Sequence, residues 1–173
     1  MKAYCLHVRT GSEKKFVIAL KKELDSIGVE YLDIVYPTRV MNQKRKGLWH
    51  RVEQPLLPGY LFFFLSDEQD FPLHLIRQER DTYSILRYSD GTFELRNGDY
   101  SYAQWVYDHN GKIKPSTVAY KEGQFVKVVE GPLESFQGKI LKLDRHHRRA
   151  IVMMTFAGAE RKVNLSVDFI DVQ

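Results

Sequence analysis

The segment Gly59-Tyr60-Leu61-Phe62-Phe63-Phe64-Leu65 constrains this chain more than any other. Its aromatic residues favour extended backbone, and its lack of polar alternation marks a strand buried on both faces. A strand of that kind needs a covering layer on each side, which the rest of the chain must supply. Lys2 to Val8 reads as a first strand. Thr10-Gly11-Ser12 opens a helix in which Phe16, Leu20, Leu24 and Ile27 recur at helical spacing, and Gly28 ends it. Asp33 to Val40 reads as a strand running into a long basic hairpin or loop, Met41 to Arg51, with Gly47 near its tip. Asp70-Phe71-Pro72 marks a second helix start, with Leu73, Leu75 and Ile76 toward a core. Ser84 to Tyr88 is a short strand. Asn97 can cap a third helix with Tyr102, Trp105 and Val106 on its apolar side and Gly111 as its stop.

Strands and helices interleave through residue 108. The expected first domain, residues 1–108, is therefore α+β with a small, mostly antiparallel sheet and helices. Residues 109–120 hold Gly111, Pro115, Ser116 and Thr117 and few apolar side chains, the composition of a short linker. Residues 121–173 read as all β: Gln124–Val129, Gly138–Asp144, Ala150–Phe156, Arg161–Val167 and a closing Phe169–Val172. Short strands in so little chain make a small SH3-like barrel, since closure removes exposed edges. Its core would be Phe125, Val128, Phe136, Ile140, Val152, Met154, Phe156, Val163 and Leu165.

Charge is unevenly placed. Residues 1–108 carry 15 Lys+Arg against 15 Asp+Glu, whereas residues 109–173 carry 11 against 7, which accounts for the net charge of +4. Lys139, Lys142, Arg145, Arg148 and Arg149 surround a single Asp144, with His146 and His147 between them, and Arg161 and Lys162 follow. A second cluster is Lys44, Arg45, Lys46 and Arg51, with Trp49 among them. Concentrations of this kind are footprints for a polyanion or solvated hairpin tips, and an aromatic among them can stack on an unpaired base.

Several classes are excluded. No apolar run approaches the roughly 20 residues of a membrane helix, and the N-terminus lacks a signal-peptide pattern. The lone Cys5 makes no internal disulfide, which suits a cytoplasmic chain. Cys5 and His7 lie two apart on one strand, a poor nucleophile–base pair, so Cys5 is expected in the core. His146-His147 has no partner pair at ligand spacing, and no phosphate-cradling glycine motif is present. No catalysis, cofactor or metal is expected.

Two motifs carry a family resemblance. Glu122-Gly123-Gln124-Phe125-Val126-Lys127-Val128, with Glu130-Gly131-Pro132-Leu133 and Gly138-Lys139-Ile140, resembles a KOW motif. Tyr4 to Gly11 leading into a helix, with Leu56-Leu57-Pro58-Gly59-Tyr60-Leu61-Phe62 later, resembles the N-terminal domain of the NusG family. Ala103-Gln104-Trp105-Val106, Asn110 to Ser116 and Asp144 to Ala150 are most similar to its LoaP antitermination branch.

The resemblance implies a monomeric transcription elongation factor. Its N-terminal domain would bind the RNA polymerase clamp helices through an apolar depression matched by Tyr4, Leu57, Pro58, Tyr60 and Phe62. This would increase processivity. The KOW domain would recognise an RNA hairpin of the nascent leader through Lys139, Lys142, Arg145, His146, His147, Arg148, Arg149, Arg161 and Lys162. Lys44, Arg45 and Lys46 would meet the non-template DNA strand or the upstream duplex. A polymerase gate-loop segment would fall at Pro72, Leu73 and His74, where Pro72 and Leu73 replace two of its three polar residues. The alternatives are a housekeeping NusG-type factor whose KOW domain binds Rho or ribosomal protein S10, and a ribosome-associated RNA-binding protein.

Overall fold

The computed structural model describes residues 1–78, 82–121 and 124–171. The chain divides into two compact units, Met1–Pro37 with Leu57–Gln104, and Thr38–Leu56 with Trp105–Gln173. The expected class is what is found: an α+β unit with a small sheet, and a β-rich unit that holds the C-terminal part.

In the first unit the sheet has the order β2-β5-β1-β6, formed by β1 (Lys2–Val8), β2 (Asp33–Val35), β5 (Tyr60–Leu65) and β6 (Thr82–Ile85). All its pairings are antiparallel. The apolar strand β5 lies inside the sheet, and its residues 61 to 65 are almost fully buried. Alternation along the strands separates two faces. Tyr4, Leu6, Val8, Leu61, Phe63 and Leu65 pack with Phe16, Leu20 and Leu24 of helix α1 (Glu13–Ser26) and with Ile76 of α2 (Leu73–Gln78). Phe62 and Phe64 point the other way, where the Phe62 ring meets Tyr102 of α3 (Asn97–Asp108) edge-on at 5.8 Å. Each buried phenylalanine contributes about 1.5–3 kcal/mol. Gly28 closes α1 with φ +72°, as its position implies. Ile27 does not join the core, because the helix ends before it and leaves it 53% exposed.

The second unit holds two sheets. One has the order β4-β3-β7, from β3 (Thr38–Arg45), β4 (Leu48–Pro55) and the short β7 (Lys112–Ile113). The other has the order β10-β11-β12-β8-β9, from β8 (Ser116–Lys121), β9 (Gln124–Glu130), β10 (Lys139–Asp144), β11 (Arg149–Phe156) and β12 (Ala159–Asp171). Strand β12 serves two ladders. Residues 159–166 run antiparallel to β11, and residues 167–171 run parallel to β8. Among the described residues, no helix is long and apolar enough to cross a membrane.

Four elements differ from the sequence reading. Asp33–Val40 is not one strand: Tyr36-Pro37 divides it, because β2 pairs with β5 whereas β3 joins another sheet. The strand expected at Ser84–Tyr88 sits earlier, at Thr82–Ile85. Arg161–Val167 and Phe169–Val172 are one strand up to Asp171, with Val172 outside the described residues. Residues 109–120 carry β7 and most of β8, whose partners β3 and β12 are distant in sequence. Of the expected barrel core, Val152, Met154, Phe156, Val163 and Leu165 are buried, whereas Val128, Phe136 and Ile140 are half-buried. Glu122, Gly123 and the Phe125 side chain lie outside the described residues.

Candidate binding surfaces

The first candidate surface lies in the α+β unit. Glu13, the first residue of α1, is 3% exposed, and its carboxylate joins two loops. One oxygen accepts the Gly11 amide at 2.7 Å, and the other accepts the Gly59 amide at 2.9 Å. Gly59 has φ +80°, and a Cβ there would approach Thr10 Oγ1 to 3.0 Å, so this loop requires glycine. Glu13 therefore holds Leu57-Pro58-Gly59 at the start of β5.

The five residues matched to a polymerase-binding depression do not share a face. Cys5 pairs with Phe62 and Tyr4 with Phe63, so Tyr4 points to the α1 side, opposite Tyr60 and Phe62. Tyr4 is buried and stacked on Phe71 with ring centroids 4.1 Å apart. Burial pushes its hydroxyl pKa up to about 12, with Glu94 and Asp70 adding to the effect. Leu57 and Phe62 are also buried. Pro58 is exposed, and Tyr60 is half-buried against the His7 ring at 4.8 Å. Strand register, which a single sequence does not display, separates the set. Cys5 is buried, as expected.

The second candidate surface belongs to the β-rich unit and is basic. Hairpin β3–β4 turns through Lys46 (φ 49°) and Gly47 (φ 82°), a two-residue turn of the type whose twist suits a hairpin. This places Lys44 directly across from Trp49 and Asn42 across from Arg51. The hairpin meets β12 through a run of polar contacts. Arg39 Nη1 donates to the Asn164 carbonyl at 2.5 Å, and the Asn42 amide donates to Ser166 Oγ at 2.6 Å. Asn42 Nδ2 donates to Asp168 at 3.1 Å, and Arg51 donates to the same carboxylate at 2.9 Å. Arg148 approaches Asp168 to 4.0 Å, and its guanidinium carbon sits 4.9 Å from the Trp49 ring centroid.

The outer face of β10–β11–β12 extends this surface. Lys139, Met153 and Lys162 lie side by side across three strands, as do Lys142, Ile151 and Asn164. A register shift between Ile140 and Lys142 lets lysines three apart face the same side. Lys139, Lys142 and Lys162 are exposed. Arg161 pairs with buried Met154 and belongs to the opposite face, which alternation along β12 requires. Arg149 is half-buried at the start of β11, while Arg145, His146, His147 and Arg148 are exposed in the turn before it. Lys44, Arg45 and Lys46 are exposed at the hairpin tip.

Asp144 orders that turn. It accepts the His147 amide at 3.0 Å and His147 Nδ1 at 2.8 Å. The amide hydrogen bond, followed by the side-chain one, holds its pKa below the ordinary 3.8. A depressed carboxylate stabilises the fold above its unfolded pKa, and that contribution is lost as pH falls through the folded value. The His147 amide resonance is therefore expected to titrate with a midpoint below 3.8. A midpoint at or above the ordinary value would show that the contact is not kept in solution.

The chain thus combines an α+β unit, whose sheet lies between helices, with a β-rich unit that carries a basic outer face. The family model described as transcription termination factor nusG matches residues 1–99. The chain belongs to the NusG family. It is 28% identical to the transcription termination/antitermination protein NusG of Thermus thermophilus, over 94% of this chain and 93% of that protein. It is 25% identical to the protein of the same name from Pseudomonas aeruginosa, with the same coverage of each. A solved structure of Thermotoga maritima NusG shares the fold, with a TM-score of 0.54 at 22% identity, covering 95% of this chain and 93% of that one.

Sequence reasoning named the basic residues and Trp49 but missed Asp168, Asn42 and Arg39, which join hairpin and strand. Each is an ordinary polar residue in a strand, and nothing local marks it. Glu13 was legible in principle as an acidic residue at the start of a helix.

Proposed function

We propose that this chain is a transcription elongation and antitermination factor. Its α+β unit docks on the clamp helices of RNA polymerase and raises processivity, a shift of population rather than a chemical step. Its β-rich unit binds an RNA hairpin in the nascent leader, in the manner of the LoaP branch, and the hairpin tip reaches the non-template DNA strand. Membership of the NusG family supports the polymerase docking. The observation that carries the RNA reading is the shared outer face of Lys139, Lys142 and Lys162 beside the basic turn Arg145–Arg149. Compact basic surfaces suit RNA hairpins, which are read by shape, by phosphates and by bases in loops.

Affinity capture with RNA polymerase and a pausing assay test the docking. The protein is expected to be retained by polymerase and to shorten pauses, and Tyr60→Ala is expected to weaken both effects. No retention, with ribosomes captured in its place, would overturn the reading. Retention with Tyr60→Ala unchanged would move the docking surface elsewhere on the unit. Capture of Rho by the β-rich unit, with no RNA binding, would assign the ordinary NusG role.

A further inference from the structure

The hairpin β3–β4 and the turn before β11 are about a hundred residues apart in sequence, yet Trp49 and Arg148 meet. Trp49 remains 37% exposed with the Arg148 guanidinium over its ring. Such a pair offers a π-face to a base and a cation to its phosphate. Arg148 holds this position at a cost, because its φ of 51° is left-handed, a region that non-glycine residues seldom occupy. Asp168 draws Arg51 and Arg148 to one carboxylate, and Asn42 donates to the same group. Both guanidiniums are thus oriented before any ligand arrives. Arg51 and Asp168 also border a cleft of about 750 Å³ that His109, Lys112 and Lys114 line. Lys44 lies across from Trp49 on the hairpin, and Lys142 lies on the outer face of β10–β12.

We propose that Trp49 is a stacking site for an unpaired base and that the hairpin and the outer face of β10–β12 engage one nucleic-acid strand together. This rests on the nucleic-acid reading above and deepens it, replacing separate targets for the hairpin tip and the outer face by one shared strand. The ligand class is a single strand, or a stem with an unpaired loop. A blunt duplex has no base to offer the ring.

The test uses the full chain. An RNA stem-loop is selected against it from a library with a randomised loop. The selected loop is then presented as the stem-loop, as single-stranded RNA, as single-stranded DNA and as blunt duplex. Trp49→Ala is expected to weaken stem-loop binding about tenfold, whereas Trp49→Phe keeps most of the affinity. Leu48→Ala, the exposed neighbour, changes nothing. Binding should quench tryptophan fluorescence, and Trp49→Phe should abolish the quench, because Trp105 is buried with its indole nitrogen bonded to Pro132. Lys44→Glu, which leaves the ring in place, should weaken binding as well. Preference for the RNA loop marks the transcript as the source and preference for single-stranded DNA marks the displaced strand; both support the site. If Arg148→Glu with Arg149→Glu abolishes binding while Trp49→Ala and Lys44→Glu do not alter it, the shared site is overturned and the barrel reading stands. If no stem-loop is selected and neither single strand binds, both fail.

Discussion

Replacing Gly138 by alanine is expected to destabilise the β-rich unit by about 3 kcal/mol. A Cβ at this position would overlap the Phe136 ring and the Met153 carbonyl. The ring could swing aside only at the expense of its edge-on contact with Trp105, 5.1 Å between centroids. The carbonyl has less freedom, since Met153 is paired with Lys139 on β10 and with Lys162 on β12. The requirement here is close approach and not a positive φ. Glycine is needed because nothing larger fits between strand and ring. Denaturant unfolding of Gly138→Ala against the parent measures the loss. A change below about 0.5 kcal/mol would show that the two strands separate easily at this point.

Changing Arg148 and Arg149 together to glutamate is expected to remove most RNA binding. Arg148 sits in the exposed turn at the hairpin side and Arg149 is half-buried at the head of β11, so the substitution places negative charge in the middle of the basic surface. Five phosphate contacts give a salt slope of about −3.5 to −4.5. Loss of two contacts should flatten it by about 1.4 to 1.8. Fluorescence anisotropy across a salt series measures both affinity and slope, and a melting curve of the same variant checks that it is folded. An unchanged slope would place the phosphates elsewhere and return the barrel to protein partners.

The local elements were legible because short-range stereochemistry and periodicity write them. Strand β1, the buried face of α1 with its Gly28 stop, and the apolar strand β5 all follow from residue spacing. Elements that depend on distant partners were not. Ser116–Lys121 has the composition of a connection, and it is a strand because β12 and β9 lie on either side of it. The placement of Tyr4 away from Tyr60 and Phe62 has the same origin. A one-residue difference in register reverses every side chain, and register is set across strands.

The candidate basic surface divides along the same line. The residue types and their concentration in two clusters are properties of the sequence alone, as are Gly47 near the tip of the basic segment and the motifs that mark the family. The tertiary structure decided which of those charges act on one side. The register shift after Ile140 brings Lys139 and Lys142 to one face, and alternation along β12 sends Arg161 to the other. Asp168 of β12 holds Arg51 of the hairpin and lies 4.0 Å from Arg148, whose guanidinium sits over Trp49. Spacing along a chain determines what a segment can present, whereas packing between segments more than a hundred residues apart determines what it meets.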